Sequence, residues 1–264
     1  MLFEKNRFHN NAYIKKSGHI IVLSVLWAIL SLANSFLSIR EMSLFEKMYF
    51  SFANSYVFFS GMGISIIILL SSRYMILLTE GNNIIRVLKR WFYLCTCIFG
   101  IAVCLIVVFA ITHQEMANQW SSSAVEMSFT NSDPIVEVPL LPLIKELMNA
   151  FTPIQASLWQ MALFYLCMVL YGLVFLFIFM ITKNKFISTI LIFIFHTIGQ
   201  YTINAWPYWA AVIPHSYFFL QYYGPWNPFP LFDTYTAIFR ILSIFFLIIG
   251  TIIIFNRISA VKRL

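Results

Sequence analysis

The apolar residues of this chain arrive in blocks of about 20, the length an α-helix needs to cross a hydrocarbon layer about 30 Å thick. The blocks run roughly over 18–39, 48–72, 91–111, 156–181, 186–205 and 234–255, separated by polar or proline-rich stretches. A soluble domain carries about a quarter charged residues. Here 10% are charged and 61% are hydrophobic. Even a domain of about 300 residues hides only about three-quarters of its surface, so one soluble core cannot absorb the excess. The pattern predicts an all-α, polytopic membrane protein with six transmembrane helices, the whole of 1–264 forming a single transmembrane domain.

The basic residues set the expected orientation. With the N-terminus inside, the inner segments hold 13 of the 17 Lys and Arg, and the outer segments hold Arg40, Lys47 and Lys145. Loops rich in Lys and Arg stay in the cytoplasm. The expectation is therefore a multi-pass protein of the cell membrane with both termini cytoplasmic. The net charge of +7 does not indicate nucleic acid, because the cations sit at the ends of apolar blocks and not in one patch. The first block is too long for the core of a cleavable signal and lacks a small-residue cleavage site, so it is expected to stay as a helix.

The connecting segments carry their own signals. Residues 1–17 are basic, and 40–47 form a short outer turn holding Arg40, Glu41, Glu46 and Lys47. In 73–90 a broken helical stripe of Tyr74, Leu77, Leu78, Ile84, Ile85 and Leu88 is interrupted at Gly81-Asn82-Asn83. This predicts a short amphipathic helix, a turn and a second helical start on the inner side. The stretch 112–155 is a long acidic outer loop, with a helix expected over 140–151, resting on the membrane. A tight basic turn follows over 182–185. Residues 206–232 hold five prolines and eleven aromatic residues. Prolines forbid a straight spanning helix there, and Tyr and Trp favour the membrane boundary. That combination predicts a re-entrant or interfacial aromatic hairpin broken near Gly224-Pro225.

Motifs for soluble chemistry are absent. No G-x-x-x-x-G-K-[ST] loop exists to hold nucleotide phosphates and no H-E-x-x-H to hold zinc. Gly61-Met62-Gly63-Ile64-Ser65 only echoes a serine-nucleophile turn. Cys95, Cys97, Cys104 and Cys167 all lie in apolar blocks and read as reduced packing residues. No catalytic, cofactor or metal-binding set is expected in this chain.

His113 and His215 fall at the expected outer boundary and read as interfacial polar groups. His196 lies within the fifth block, where an ionisable group needs a partner. The ordinary reading is a neutral ring bonded to a neighbouring helix. Arg240 sits about two turns into the sixth block, and Asp233 is seven residues earlier on the same face. Two readings stand for Arg240: snorkelling to the outer headgroups, or a polar lining of a translocation path. His196, Tyr217, Asp233 and Arg240 are the candidates for such a path.

The run Arg73-Tyr74-Met75-Ile76-Leu77-Leu78-Thr79-Glu80-Gly81, leading into the basic stretch Arg86 to Arg90, resembles the loop between the second and third spans of ABC type-2 transporter permeases. There an acidic residue followed by glycine precedes a short helix that re-enters the membrane. The aromatic hairpin before the last block, the six blocks and the basic N-terminal segment resemble that family too. The long outer loop between the third and fourth blocks departs from its usual pattern. The resemblance implies a permease subunit powered by separate ATPase chains, which hold the ATP and Mg, with no cofactor in this chain. Arg73, Tyr74, Leu77, Leu78, Glu80, Gly81 and Arg86 would dock the ATPase. It also implies pairing with a second copy or a sibling permease, and an amphipathic or hydrophobic substrate, a peptide or a lipid. The Ile-, Phe- and Asn-rich composition is similar to small permeases of low-GC Gram-positive bacteria that export, or confer immunity to, antimicrobial peptides. Two alternatives are kept: a membrane-embedded enzyme using His196, His215, Asp233 and Arg240, and a peptide-sensing or immunity protein without an ATPase.

Overall fold

The computed structural model describes residues 42–53, 61, 63–71, 84–111, 117–127, 145–205, 215, 218 and 234–261, with isolated helical positions 22, 26, 27, 29 and 30 in the first apolar block. The described residues are helical, without strands. The helices are α1 (Leu44–Ala53), α2 (Ile64–Ser71), α3 (Ile84–Ile111), α4 (Ser122–Met127), α5 (Lys145–Ala150), α6 (Pro153–Thr182), α7 (Lys185–Ala205) and α8 (Thr234–Val261). Among the described residues one helix, α6, is long and apolar enough to cross a membrane, and α8 contains a shorter apolar stretch, Ile238–Ile254.

The central helix is α6, and α1, α2, α3, α7 and α8 all pack against it. Both of its ends are fixed locally. Thr152 and Gln155 form a reciprocal capping box, and Pro153 occupies the first turn, where a missing N–H costs nothing. At the other end Lys183 adopts a left-handed conformation with φ 52°, and its N–H donates to Phe179 O at 2.9 Å. Asn184 Oδ1 then accepts the N–H groups of Phe186 and Ile187 and starts α7. The expected tight turn is thus two residues between antiparallel helices. Residues equidistant from it along α6 and α7 come level with one another.

Packing around α6 is aromatic and close. Phe52 of α1 meets Phe164 edge-on at 5.0 Å, and Phe99 of α3 meets Tyr165 at 5.5 Å. Trp91 of α3 is fully buried on Gly172, and its Nε1 donates to Val169 O at 3.3 Å. A Cβ on Gly172 would lie 2.0 Å from the indole nitrogen. Glycine is therefore what lets α3 approach α6 here.

Two expectations about the connecting segments change. Glu46 and Lys47 are not in an outer turn: they are buried in the first turn of α1. The cause is Ser43, whose Oγ accepts Glu46 N while Glu46 Oε2 accepts Ser43 N at 2.6 Å. That reciprocal cap starts the helix before the apolar run begins. Burial pulls the Lys47 ammonium below its usual range. The third helix begins at Ile84, where the second helical start of 73–90 is expected, and runs on without a break into the apolar block; Arg86, Lys89 and Arg90 are good helix formers. The described parts of 112–155 also pack against the helices rather than lie apart from them. Ala124 of α4 and Leu147 of α5 are buried, Trp120 Nε1 donates to Phe151 O at 2.8 Å, and Ser121 N donates to Glu46 Oε1. The helix expected over 140–151 is observed as Lys145–Ala150, and 140–144 lie outside the described residues.

The glycines give a test of this packing. Gly172→Ala must displace Trp91 and should cost about 1–3 kcal/mol. Gly100 and Gly250, beside which a Cβ meets open space, should gain up to about 1 kcal/mol on substitution by Ala through helix propensity. Thermal unfolding of the detergent-purified variants measures both. Equal effects at the three positions would contradict the close seating of α3 on α6.

Candidate functional site

The polar centre of the bundle is built on Tyr171. This residue lies on α6 eleven positions before Thr182, and His196 lies on α7 eleven positions after Lys185. At 1.5 Å per residue both stand about 16 Å from the turn, so the antiparallel pair brings them level. Tyr171 Oη is 2.7 Å from His196 Nδ1 and 3.1 Å from His215 Nε2. All three side chains are buried, with 0%, 3% and 1% exposure. Phe195 closes one side, with its ring centroid 4.4 Å from that of His215 and 5.8 Å from that of Tyr171.

Two glycines make room for the imidazoles. A Cβ at Gly63 would lie 2.3 Å from His196 Cε1, and one at Gly199 would lie 2.3 Å from His215 Cγ. Gly61 and Gly63 are wound as a π-type turn at the start of α2, with Ser65 Oγ donating to Gly61 O at 2.9 Å. Such widened turns inside helical segments are frequent at functional sites. His215 is held against Gly199, which is six residues before the end of α7.

A second polar anchor lies further along the same face of α6. Gln160 Nε2 donates to Phe52 O at 3.1 Å and to Phe218 O at 3.0 Å. Positions 160, 164, 167 and 171 recur at helical spacing. Gln160, Phe164, Cys167 and Tyr171 therefore form one buried face of α6. His215 and Phe218, the two described residues of 206–232, contribute one partner each to it.

The sequence candidates divide accordingly. His196 is in the centre and bonds a neighbouring helix, as its ordinary reading anticipates. His215, read as an interfacial polar group, is buried against α6 and α7, where Gly199 and the Tyr171 hydroxyl admit its ring. Arg240 is half-buried on α8. Arg86 falls in the first turn of α3. Arg73, Tyr74, Leu77, Leu78, Glu80, Gly81, Tyr217 and Asp233 lie outside the described residues. Sequence reasoning missed Tyr171 altogether. Its one signal was arithmetic, its distance from the turn matching that of His196.

The four cysteines are free; Cys95 and Cys167 are buried and Cys104 is exposed. Among the described residues no three metal-ligating side chains of the His, Cys, Asp and Glu set converge. The arrangement instead offers hydrogen-bond and proton chemistry: one hydroxyl between two ring nitrogens, enclosed by apolar side chains. No family model, no curated protein and no solved structure matches this chain.

Removing the hydroxyl should be costly because buried ring nitrogens lose their partner. Tyr171→Phe keeps the aromatic packing and should destabilise by about 1–3 kcal/mol. Glu46→Ala, which frees the buried N–H of Ser43 and the partly buried N–H of Ser121, should cost a similar amount. Thermal denaturation of each variant in detergent measures both, and an unchanged midpoint for Tyr171→Phe would rule out the hydroxyl as a structural anchor.

Proposed function

We propose that this chain is the permease subunit of an ABC transporter: a six-span protein of the cell membrane, with both termini cytoplasmic, that exports an amphipathic or hydrophobic substrate such as an antimicrobial peptide. Separate ATPase chains supply the energy, and a second copy or a sibling permease completes the membrane unit. The observation that carries this reading is the continuity of α3. It runs without a break from the basic positions Arg86, Lys89 and Arg90 to Ile111. Lys89 and Arg90 are exposed, and the next residue, Trp91, is locked onto Gly172 of the central helix.

A push on the inner segment 73–90 would therefore act on a continuous helix that is seated on α6 at Trp91. Gly172 adjoins Tyr171, so the lever bears on the helix where the polar centre is assembled. That is the mechanical requirement of a permease driven from outside its own chain. The six apolar blocks and the inner excess of Lys and Arg support the membrane setting. The aromatic, sparsely charged interior suits an amphipathic or hydrophobic cargo, and nothing in it suits nucleic acid. The meeting of His196 and His215 favours the second reading, a membrane-embedded enzyme. That reading still lacks an assembled nucleophile or metal set among the described residues.

Two experiments test the proposal. In sealed cells of a cysteine-free variant, a cysteine at Lys145 should react with an impermeant thiol reagent, and one at Lys89 only after permeabilisation. The reverse pattern would overturn the orientation. Purification from the native membrane in mild detergent should recover an ATP-hydrolysing partner in roughly equal amount. Glu80→Lys and Gly81→Pro should abolish that recovery while membrane insertion stays normal. A chain that purifies without an ATPase, or variants that still assemble and transport, would refute the permease reading.

A further inference from the structure

Asn118 and Gln155 hold the start of α6 by their oxygens. Asn118 Oδ1 accepts Ile154 N at 3.2 Å, and Gln155 Oε1 accepts Thr152 N at 3.1 Å. Each carboxamide is thereby oriented, because its oxygen and not its nitrogen must face an N–H donor. The NH2 group of each is left over as a pair of donors, and among the described residues nothing accepts from either. The main-chain N–H groups here are already taken: Ile154 N by Asn118, and Gln155 N by Thr152 Oγ1 at 3.4 Å. What this end of α6 offers is side-chain amide nitrogen.

Both residues line an open cavity of about 280 Å³, formed with the segments 118–120 and 148–153. Its walls are fixed from several sides. Trp120 Nε1 donates to Phe151 O at 2.8 Å, and the Trp120 ring meets Tyr49 of α1 edge-on at 6.0 Å. Leu147, next to the wall residue Met148, is buried. The described lining holds no charged side chain. It does hold two further carboxamides, Gln119 and Asn149, with no hydrogen bond to any described residue.

The geometry points to a binding site in this cavity for a short, uncharged stretch of peptide main chain. The lining has no counter-charge for a phosphate, a carboxylate or an ammonium group, each of which loses hydration on entry. Asn118 and Gln155 have spent their oxygens, so their occupant must accept hydrogen bonds. A peptide carbonyl does so through two lone pairs, and the N–H groups beside it can donate to Gln119 Oε1 or Asn149 Oδ1. Trp120, Phe151 and Met148 supply apolar contact for the side chains. Capping alone does not require these amides. Asp and Glu would accept the same N–H groups and would gain from the positive end of the helix dipole. Asn and Gln add the donors that carboxylates lack. Because those donors are already pinned, little side-chain freedom is lost on binding. The volume falls just below the roughly 300–1,000 Å³ of small-molecule sites, which suits a few residues of chain.

The test uses the full chain in detergent, without ATPase or ATP, so its failure would leave the permease reading standing. Radiolabelled tetra-alanine, N-acetylated and C-amidated, is dialysed to equilibrium against the protein and against empty micelles. The wild-type protein should retain peptide above the micelle level. The double variant Asn118→Asp with Gln155→Glu keeps both capping oxygens and removes both donor pairs. Its thermal midpoint should be unchanged or higher, and its binding should weaken at least about tenfold, since neutral hydrogen bonds are lost and carboxylates face carbonyl oxygens. Retention no greater than in empty micelles would overturn the proposal, as would undiminished binding by the double variant. A cavity that takes maltotriose and not the peptide would overturn it too. Should the double variant fail to fold, nitrogen-15 NMR of the wild-type side-chain amides decides: the peptide must shift the NH2 signals of Asn118 and Gln155, and unmoved signals refute the site.

Discussion

Apolar contact draws helices together but is non-directional, so something else must fix their register. In this protein that role falls to hydrogen bonds from the buried surface of α6. Ser157 Oγ donates to Phe45 O of α1. Gln160 reaches both Phe52 O and Phe218 O. Tyr165 pairs with Thr96 of α3 at 2.9 Å, and Val169 O accepts from Trp91. Tyr171 joins His196 and His215. At the last residue of α6, Thr182 Oγ1 meets Ser188 Oγ of α7 at 3.0 Å. A buried polar group left without a partner costs about 1–3 kcal/mol, so sliding any neighbour by one turn would be penalised where it was bonded.

Glycine sets how close that keyed packing becomes. At Gly172 an indole fills the place a side chain would take, and at Gly63 and Gly199 imidazoles do so. These contacts bring rigid aromatic groups against backbone, where small displacements are resisted on both sides. Trp91, Gly172 and Tyr171 then form a short physical route from the basic start of α3 to the polar centre. The mechanical reading of α3 as a lever depends on this route and on the continuity of the helix.

The end of the bundle where α1 and α6 begin follows different rules. It is assembled by caps and carboxylate contacts in place of a tight apolar seam. Glu46 caps α1 through Ser43 and also receives Ser121 N, tying the loop helices to the bundle. Asn118 Oδ1 accepts Ile154 N at 3.2 Å beside the capping box of α6. Glu46, expected in the short turn 40–47, is here an internal acceptor.

The sequence by itself determined the helical class, the helices expected over 156–181, 186–205 and 234–255, which the structure extends by up to six residues at their ends, and the turn within 182–185. Each is written in local signals: uninterrupted apolar length, a Thr-Pro-x-Gln start and a polar break. It also marked His196 as a residue needing a partner, because an ionisable group in an apolar run always does. It could not name Tyr171, nor show that His215 and Glu46 are buried. A hydroxyl, a ring or a carboxylate looks the same in sequence whether it faces solvent, lipid or another side chain. Only the tertiary structure decided these, because partners 25, 44 and 75 positions away along the chain are chosen by how helices pack and not by local propensity.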